Sequence, residues 1–347
     1  MTEHQNPILV EIYRGGVLES FHRGVVCIVD SKGQVVYSAG NHMQICYPRS
    51  AMKLLQVLPL LMENVHQHYS LTLEEIAVMC GSHNAEPEHV DAVNSILHKI
   101  GLGQEALLCG AQMPSDKNQS TALIKAGLSP QAIHNNCSGK HAGMLALCVH
   151  KGWSTHDYLL PEHPLQQYIL RICSTLYEYS SDDMTIALDG CSAPIVSVPV
   201  YHQALAFKSL ANPTTLPTVY TEAISLMWEA ISKYPFMVAG TKRYCTDLMK
   251  ITAPDIIGKT GAEGVFCMAI ASKGWGICIK IDDGKMLPQY HVAQAIVEAI
   301  NLFSPQQLQP LQQYLRTEIK NFNKWVTGEI KVNDQFMLNL SQACASS

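Results

Sequence analysis

The pattern of apolar and polar positions predicts β-strands at both ends of the chain. Short β-type runs bounded by turn residues come first, at residues 8–13, 25–30 and 34–37, and predict an antiparallel meander. Two further β-type runs, at residues 264–270 and 274–281, have the spacing of a hairpin. A helix is predicted to follow them at about residues 292–302.

The middle of the chain has the 3.6-residue period of helices, most clearly at residues 51–62, 86–100 and 141–151. Strands, then helices, then strands again predict an α+β fold. Its central antiparallel sheet would combine N- and C-terminal strands, with a helical subdomain inserted between them. No linker or repeat marks a boundary, so we expect a single compact unit over residues 1–347. Any internal split is soft, with residues 1–50 and 240–347 in the sheet region and residues 51–239 mainly helical.

Composition and charge narrow the functional classes. A chain of 347 residues, 47% of them hydrophobic, can bury a sizeable core. The net charge of −5, with scattered lysines and arginines, predicts no binding to nucleic acid or to an anionic membrane, so we expect a small substrate. The N-terminus lacks the features of a signal peptide, and no apolar stretch reaches the roughly 20 residues that span a membrane. We therefore expect a cytoplasmic protein, with most of its twelve cysteines reduced and buried.

The first candidate for chemistry is the pair Ser50 and Lys53, at the head of an apolar helix. A spacing of three places the hydroxyl and the amine on one helical face, where they can hydrogen-bond. The apolar residues that follow predict burial, which disfavours the charged form of a lysine, so Lys53 can act as a general base toward Ser50. S-x-x-K also occurs by chance with the lysine reaching water, so this pair alone is a weak signal.

Two further motifs strengthen the prediction of an active site. Ser82-His83-Asn84 lies downstream, and Lys259-Thr260-Gly261 leads directly into the predicted hairpin. The order S-x-x-K, S-x-N, K-T-G is that of the serine β-lactamases and penicillin-binding proteins. The spacing departs from theirs, because the helical insert follows the second motif, and this predicts a different substrate pocket. We expect His83, like His89 and His134, to be an ordinary hydrogen-bonding residue.

Two cysteines are candidates for a metal site. Cys137 and Cys191 each lie beside glycine and serine in polar, turn-like sequence, and we expect both to be exposed to a cleft. Two thiolates and one nitrogen would form a three-ligand zinc site with an open fourth position. From spacing alone, the nitrogen would come from His134 or His141, because Lys140 would have to lose a proton first. A pair of cysteines without any ligand is the alternative.

Five segments resemble the rhizobial-type, class 3 L-asparaginases of the asparaginase II family. They are residues 47–53, 80–83, 136–141, 189–194 and 259–264. The resemblance extends through roughly residues 8–330. It implies hydrolysis of L-asparagine to L-aspartate and ammonia, a fold like that of the serine β-lactamases, and a homodimer.

The resemblance also implies roles for individual residues. The two Ser-Lys pairs that face each other in the family correspond to Ser50 with Lys53 and to Ser82 with Lys259. The family's zinc ligands correspond to Cys137, Lys140 and Cys191. In this respect the resemblance favours the lysine over the histidine that spacing favours.

Three further residues correspond to positions that line the family's pocket: Arg49, Asp189 and Cys245. A substrate with an α-carboxylate and an α-ammonium needs partners of opposite charge, which Arg49 and Asp189 can supply. The alternatives are an ion pair at a helix start for Arg49 and a turn position for Asp189.

We therefore expect Ser50 to attack the side-chain amide while Lys53 takes the proton, with water resolving the acyl-enzyme. Ser82 and Lys259 would orient the substrate and share proton transfer. Zinc would bind or polarise the substrate rather than supply the nucleophile. The first alternative is another serine amidohydrolase, an esterase or a β-lactam-interacting enzyme on the same fold. The second is a catalytically silent binding protein that retains the zinc.

Overall fold

The computed structural model describes residues 5–345, and these residues form two compact units. Unit 1 contains the described parts of residues 1–51, 198–212 and 258–347. Unit 2 contains residues 52–197 and 213–257.

The helices and strands of residues 5–345 are as follows. The strands are β1 (Ile8–Arg14), β2 (Val17–Val29), β3 (Val35–Ala39), β4 (Ile45–Cys46), β5 (Ile186–Leu188), β6 (Pro194–Val196), β7 (Val198–Pro199), β8 (Ile256–Thr260), β9 (Val265–Ile270), β10 (Trp275–Ile281), β11 (Arg316–Lys320) and β12 (Val326–Val332). The α-helices are α1 (Lys53–Gln56), α2 (Leu58–Met62), α3 (Val65–His68), α4 (Leu73–Met79), α5 (Pro87–Lys99), α6 (Lys117–Lys125), α7 (Ser138–Lys151), α8 (Pro164–Tyr177), α9 (Val200–Ala211), α10 (Thr218–Lys233), α11 (Pro235–Ala239), α12 (Tyr244–Thr252), α13 (Met286–Ala299), α14 (Pro305–Leu308), α15 (Gln312–Leu315) and α16 (Asp334–Ala345). Short 3-10 helices cover Arg49–Met52, Gln104–Ala106, Ala132–His134, Ser181–Asp183, Pro213–Thr215 and Gln309–Leu311.

Unit 1 is built on an eight-stranded sheet. The strand order is β11-β12-β1-β2-β10-β9-β8, and β3 pairs with β2 beside this path. The pairings from β11 through to β9, and that of β2 with β3, are antiparallel. N-terminal strands thus pair directly with C-terminal ones, β1 with β12 and β2 with β10. The α+β class with a sheet made from both ends of the chain is confirmed.

Two helices cover opposite faces of the sheet centre. A Cβ atom placed at Gly276 of β10 would lie 2.0 Å from the carbonyl oxygen of Ala204, so α9 crosses β10 where no side chain fits. Phe266 of β9 pairs with Ile279, which points away from the Gly276 face, and its ring lies 6.0 Å from that of Tyr290 on α13. Because both faces are covered, β9 and most of β10 are buried, which explains their continuous apolar sequence.

Unit 2 is mainly helical, and its helix α4 packs against both α10 and α7. Gly139 and Gly143 of α7 face α4 one turn apart. A Cβ atom at Gly139 would lie 2.3 Å from the carbonyl oxygen of Val78, and one at Gly143 would lie 2.9 Å from the Met79 sulfur. The two glycines let the helices approach closely. As a result, the first turn of α7 lies beside the end of α4, from which residues 80–86 continue.

Several boundaries differ from the predicted ones. β2 begins at Val17, well before the predicted residue 25. The apolar pattern does not reveal the first half of this strand, because that half is exposed and lacks an apolar run. The predicted helix at residues 51–62 is divided into a 3-10 helix, α1 and α2. The predicted helix at residues 292–302 is α13, which begins at Met286 and ends at Ala299.

Candidate active site

Lys53, the last residue of the first motif, contacts the second motif within unit 2. Its Nζ atom donates hydrogen bonds to the carbonyl oxygen of Gly81 (2.5 Å), to Ser82 Oγ (3.0 Å) and to the carbonyl oxygen of Asn136 (3.2 Å). Lys53 is 1% exposed and Ser82 7% exposed. Ser50 lies in the 3-10 helix Arg49–Met52, which leads directly into α1 at Lys53. The structure therefore brings Lys53 to Ser82, and the pairing of Lys53 with Ser50 stays a prediction.

The backbone around Ser82 is held from several directions. The Ser82 amide donates to the carbonyl oxygen of Val238 (2.8 Å), and the His83 amide donates to that of Asn136 (3.2 Å). A Cβ atom at Gly81 would lie 2.7 Å from the carbonyl oxygen of Met237, so the chain needs glycine directly before the serine. Residues 81–86 belong to no helix or strand, and these contacts hold them in place.

Arg243, which precedes α12, also binds this segment. Its Nη1 atom donates to Asn84 Oδ1 (2.7 Å) and to the carbonyl oxygen of Ser82 (3.4 Å). Cys245 lies two residues further on, inside α12, and is 2% exposed. The side chain of Arg243 therefore joins the start of α12 to Ser82.

The third motif and the residues before Ser50 meet within unit 1. Lys259 is buried on β8, where its Nζ atom donates to the carbonyl oxygen of Thr260 (2.9 Å). A Cβ atom at Gly261 would lie 2.5 Å from the carbonyl oxygen of Pro48. Glycine ends the K-T-G motif because the chain leading to Ser50 runs against this position.

Arg49 has an unusual backbone conformation for a residue with a side chain. Its φ angle is 51°, in the left-handed region, directly before Ser50. Its Nη1 atom lies 3.8 Å from Glu263 Oε1, and the Glu263 side chain is 67% exposed. Such an exposed ion pair contributes little to stability, so it does not by itself explain the strained backbone.

The second candidate site is a cluster of two sulfurs and a carboxylate in unit 2, here called the thiol cluster. The Sγ atoms of Cys137 and Cys191 and a carboxylate oxygen of Asp189 lie within 4.8 Å of one another. Lys140 Nζ lies 3.0 Å from Cys191 Sγ. Cys137 immediately precedes α7, Lys140 lies in its first turn, and the other two residues lie in the turn between β5 and β6. The four residues that the sequence singled out are therefore brought together.

The expectation that both cysteines are exposed to a cleft is wrong. Cys137 and Cys191 are each 3% exposed. The polar residues around them form turns that bury the sulfurs: the Asp189 amide donates to the carbonyl oxygen of Ala193 (2.9 Å), and Ser192 has a φ angle of 66°. All twelve cysteines lie within residues 5–345, where they are buried and form no disulfide bond.

Comparison with protein families identifies the family of this chain. A family model described as L-asparaginase II matches residues 10–332, far more than half of the sequence. The chain belongs to the L-asparaginase II family. Membership makes it an asparaginase-type hydrolase, for which a small-molecule substrate is expected. No curated protein sequence gives a significant match.

Solved structures similar to this family member include a β-lactamase from Mycobacterium bovis, with 12% identity over 84% of this chain and 94% of that chain and a TM-score of 0.38. Unliganded simvastatin synthase from Aspergillus terreus is also similar, with 11% identity over 83% of this chain and 94% of that one and a TM-score of 0.37. Both TM-scores are low, so the description of the fold rests on the strand order and helix packing given above. Among residues 5–345, none of the helices has the length and apolar character needed to span a bilayer.

The thiol cluster of this L-asparaginase II family member carries opposite charges. A hydrogen bond from Cys191 lowers the pKa of Cys137 well below the usual thiol value, and Lys53 and Lys140 lower it further. The same hydrogen bond raises the pKa of Cys191. Burial alone would lower the pKa of Lys140, but its interactions with Cys191 and Cys137 outweigh burial and raise it. The cluster therefore pairs a thiolate with a lysine ammonium.

The donor atoms of the cluster fit zinc. Two sulfurs and an amine nitrogen are ligand types compatible with a zinc ion that keeps a fourth position open, once Cys191 and Lys140 release their protons, and the Asp189 carboxylate lies beside them. Within residues 5–345, the group of mutually close ligand atoms includes no histidine. His134 Nδ1 accepts from the Gln131 amide (3.0 Å), and His141 Nδ1 lies 2.7 Å from the Tyr158 hydroxyl. His141 also makes a hydrogen bond with Cys191, so of the two histidines predicted from spacing it remains a candidate ligand.

Asn136 is a site residue that the sequence analysis missed. Its carbonyl oxygen accepts from Lys53 Nζ and from the His83 amide, and its side-chain Oδ1 lies 3.0 Å from Cys137 Sγ. It thereby connects the Lys53–Ser82 pair to the thiol cluster. Its position directly before Cys137 was the only sequence signal, because a contact made by the main chain requires no particular side chain.

Proposed function

We propose that this L-asparaginase II family member hydrolyses L-asparagine to L-aspartate and ammonia by serine–lysine catalysis. The observation that carries the proposal is the hydrogen bond between Lys53 Nζ and Ser82 Oγ, buried in a chain of this family. A buried amine bonded to a hydroxyl is the arrangement needed to activate a serine or to pass a proton through it.

The surroundings of Lys53 support a role as a base. Of its three hydrogen bonds to oxygen atoms, two go to the carbonyl oxygens of Gly81 and Asn136, which can only accept. Lys53 also makes a hydrogen bond with Cys137. An uncharged amine would use its two N–H groups on these carbonyls, and its lone pair would then face the Ser82 hydroxyl. In the charged form, all three N–H groups have an acceptor. The same pocket therefore suits both protonation states, as a proton shuttle requires.

Ser50 is our proposed nucleophile, with Lys53 three residues later as its base. Ser50 Oγ would bond to the amide carbon of the substrate while its proton passes to Lys53, and that proton would then leave with ammonia as the C–N bond breaks. Water would attack the acyl-enzyme, break the ester bond to Ser50 and release aspartate. The left-handed backbone at Arg49 supports this choice, because backbone strain clusters at active sites.

Ser82 and Lys259 are proposed to form the second pair, which would orient the substrate and share proton transfer. We further propose that Arg49 binds the α-carboxylate of the substrate, that Asp189 binds its α-ammonium and that Cys245 lines the pocket. The guanidinium and carboxylate have the charges that these two substrate groups require.

Zinc is the proposed metal, held by Cys137, Lys140 and Cys191, with Asp189 beside them. When bound, it would polarise or bind a carbonyl group of the substrate. We expect about one zinc ion per chain, and Cys191→Ser to lower zinc affinity at least tenfold, because one of the two sulfur donors is lost. Metal analysis after chelator competition measures both the zinc content per chain and the zinc affinity. Wild-type protein that binds no zinc under these conditions would contradict the metal assignment.

The function is tested by ammonia release from L-asparagine, L-glutamine and a β-lactam control. We expect ammonia from L-asparagine, and a loss of kcat of about a thousandfold or more in Ser50→Ala. Ser120→Ala, a half-buried serine of α6, is the matched control and should retain activity. Full turnover by Ser50→Ala together with loss in Ser82→Ala would transfer the nucleophile role to Ser82. No ammonia from L-asparagine, with a rapid burst from the β-lactam, would favour the β-lactam-interacting alternative.

The homodimer implied by the resemblance remains part of the proposal. Sedimentation of the purified chain measures it directly, and we expect the mass of two chains. A monomer that hydrolyses L-asparagine would contradict the dimer but leave the proposed reaction intact.

A further inference from the structure

His83, the residue after Ser82, has both ring nitrogens in hydrogen bonds. Nδ1 accepts from the Ala85 amide (3.2 Å), and Nε2 lies 3.0 Å from Ser138 Oγ. A backbone amide can only donate, so Nδ1 carries no proton and the proton of the ring is on Nε2. The ring therefore donates to Ser138 Oγ, whose own hydroxyl donates to the carbonyl oxygen of Ile133 (2.9 Å). The direction of the whole chain of bonds is determined.

Packing holds the His83 ring in place. It stacks on His89 with 5.1 Å between ring centroids and 13° between planes, and His89 stacks on Phe236 at 4.7 Å and 19°. His89 is bonded in the same manner, with Nδ1 accepting from the Glu86 amide (3.2 Å) and Nε2 donating to the Phe236 carbonyl oxygen (3.0 Å). His83 is 1% exposed. Burial, the neighbouring His89 and the cations Lys53 and Arg243 lower its pKa well below the usual value, so the ring stays uncharged.

The bond to Ser138 joins Ser82 to a second element. Ser138 is the first residue of α7 and follows Cys137. The His83 amide donates to the same Asn136 carbonyl oxygen that accepts from Lys53 Nζ, at 3.2 Å in both cases. The main chain and the side chain of His83 thus bind two consecutive parts of the chain that enters α7. If the ring is displaced, the Ser82 backbone can move relative to Lys53.

We propose that His83 is a positioning residue, which holds Ser82 against the first turn of α7 and so maintains the contact between Lys53 Nζ and Ser82 Oγ. This inference deepens the proposed function and rests on it. His83 does not exchange a proton with the substrate; it acts through the backbone of Ser82. The alternative is a buried histidine that only contributes to packing.

Three variants separate these roles. His83→Asn keeps an acceptor near the Nδ1 position but is too short to reach Ser138. His83→Gln can place an amide N–H near the Nε2 position and restore that bond. Ser138→Ala removes the acceptor. The matched control is His163→Asn, because His163 has the same local pattern: Nδ1 accepts from the Leu165 amide (3.1 Å), Nε2 donates to the Ser154 carbonyl oxygen (3.1 Å), and the residue is 6% exposed.

Steady-state kinetics on L-asparagine is the first measurement. We expect His83→Asn and Ser138→Ala each to lower kcat by about ten- to a hundredfold, with KM changed less than about threefold, because misplacement of a reacting group acts on the chemical step. The double variant should lose no more of its kcat than the worse single variant, because both substitutions remove the same hydrogen bond. His83→Gln should recover most of the loss, and His163→Asn should retain wild-type kcat despite lower thermal stability. Wild-type kcat in folded His83→Asn, or fully additive losses, would overturn the proposal.

Two readouts do not depend on asparagine turnover. Nitrogen NMR of ¹⁵N-histidine protein, with His83→Asn subtracted, should show an uncharged Nε2–H ring from pH 6 to 8. Reaction of the serines with a fluorophosphonate probe should slow in His83→Asn but not in His163→Asn. A ring that titrates in this range or carries its proton on Nδ1, or an unchanged labelling rate, would contradict the role of His83. Wild-type protein that fails to release ammonia would contradict the proposed function alone, and these two readouts would still decide the role of His83.

Discussion

Replacement of Gly139 by alanine tests how the two helices of unit 2 position the candidate site. A Cβ atom at this position would lie 2.3 Å from the carbonyl oxygen of Val78. An ordinary contact between these atoms is about 3.4 Å or longer, so the helices would have to separate by about 1 Å. The contact is with backbone, which no side-chain rotation can relieve. The first turn of α7, with Cys137 and Lys140, would therefore move away from the end of α4.

The magnitude follows from three contributions. Overpacking of a close contact costs about 1–3 kcal/mol. Alanine is favoured over glycine in a helix by about 1 kcal/mol, which offsets part of this cost. The free energy of unfolding should therefore fall by roughly 0–2 kcal/mol, while a displacement of about 1 Å at a catalytic site can reduce the rate about a hundredfold. Gly139→Ala should thus lose much more activity than stability.

Gly143→Ala is the matched control on the same helix, one turn later. Its Cβ atom would lie 2.9 Å from the sulfur of Met79, a flexible side chain that can rotate away. Urea unfolding and ammonia release from L-asparagine, measured on both variants, give the comparison. We expect Gly143→Ala to keep near wild-type activity. Equal activity of the two variants would show that the contact of Gly139 with Val78 does not determine the geometry of the site.

Two further predictions concern buried polar groups. Arg243→Met should destabilise the protein by about 1–3 kcal/mol and lower kcat, because Asn84 Oδ1 and the Ser82 carbonyl oxygen lose a donor. Thermal unfolding measures the loss of stability, and steady-state kinetics measures kcat. An unchanged kcat would show that Arg243 does not help to position Ser82. Burial lowers the pKa of His141 to about 4, whereas an unfolded histidine titrates near 6.5. His141 should therefore contribute stability that is fully present above about pH 6.5. This contribution, up to about 3 kcal/mol, is lost as the pH falls to about 4. Urea unfolding at several pH values should show this loss in the wild type and a smaller one in His141→Asn; parallel pH profiles would contradict it.

The parts of the fold that the sequence predicts best are those with a strong apolar pattern. The β9–β10 hairpin is buried on both faces, so its residues form an apolar run that is easy to recognise. The strands β11 and β12 were not predicted, because they are mostly exposed or half-buried and contain charged residues. Their place at the sheet edge depends on pairing with β1, which is distant in sequence.

The residue types of the candidate site could be predicted, but not all of their contacts. Motif spacing predicts that Lys53 bonds to Ser50, which stays a prediction, and it gives no sign of the bond that the structure shows between Lys53 and Ser82. That bond depends on the close packing of α4 against α7, which determines where the chain after α4 runs. The burial of Cys137 and Cys191 was missed for a related reason, because polar turn sequence gives no indication of what packs over it.

The main-chain oxygen of Asn136 accepts from both Lys53 and His83. Every amino acid supplies such an oxygen, so an alanine scan would remove only the contact of the Asn136 side chain with Cys137 Sγ and would leave the other two in place. A tolerant result at this position would then be mistaken for a lack of importance. Sequence variation at residue 136 among relatives would likewise understate how much the site depends on the path of the chain there.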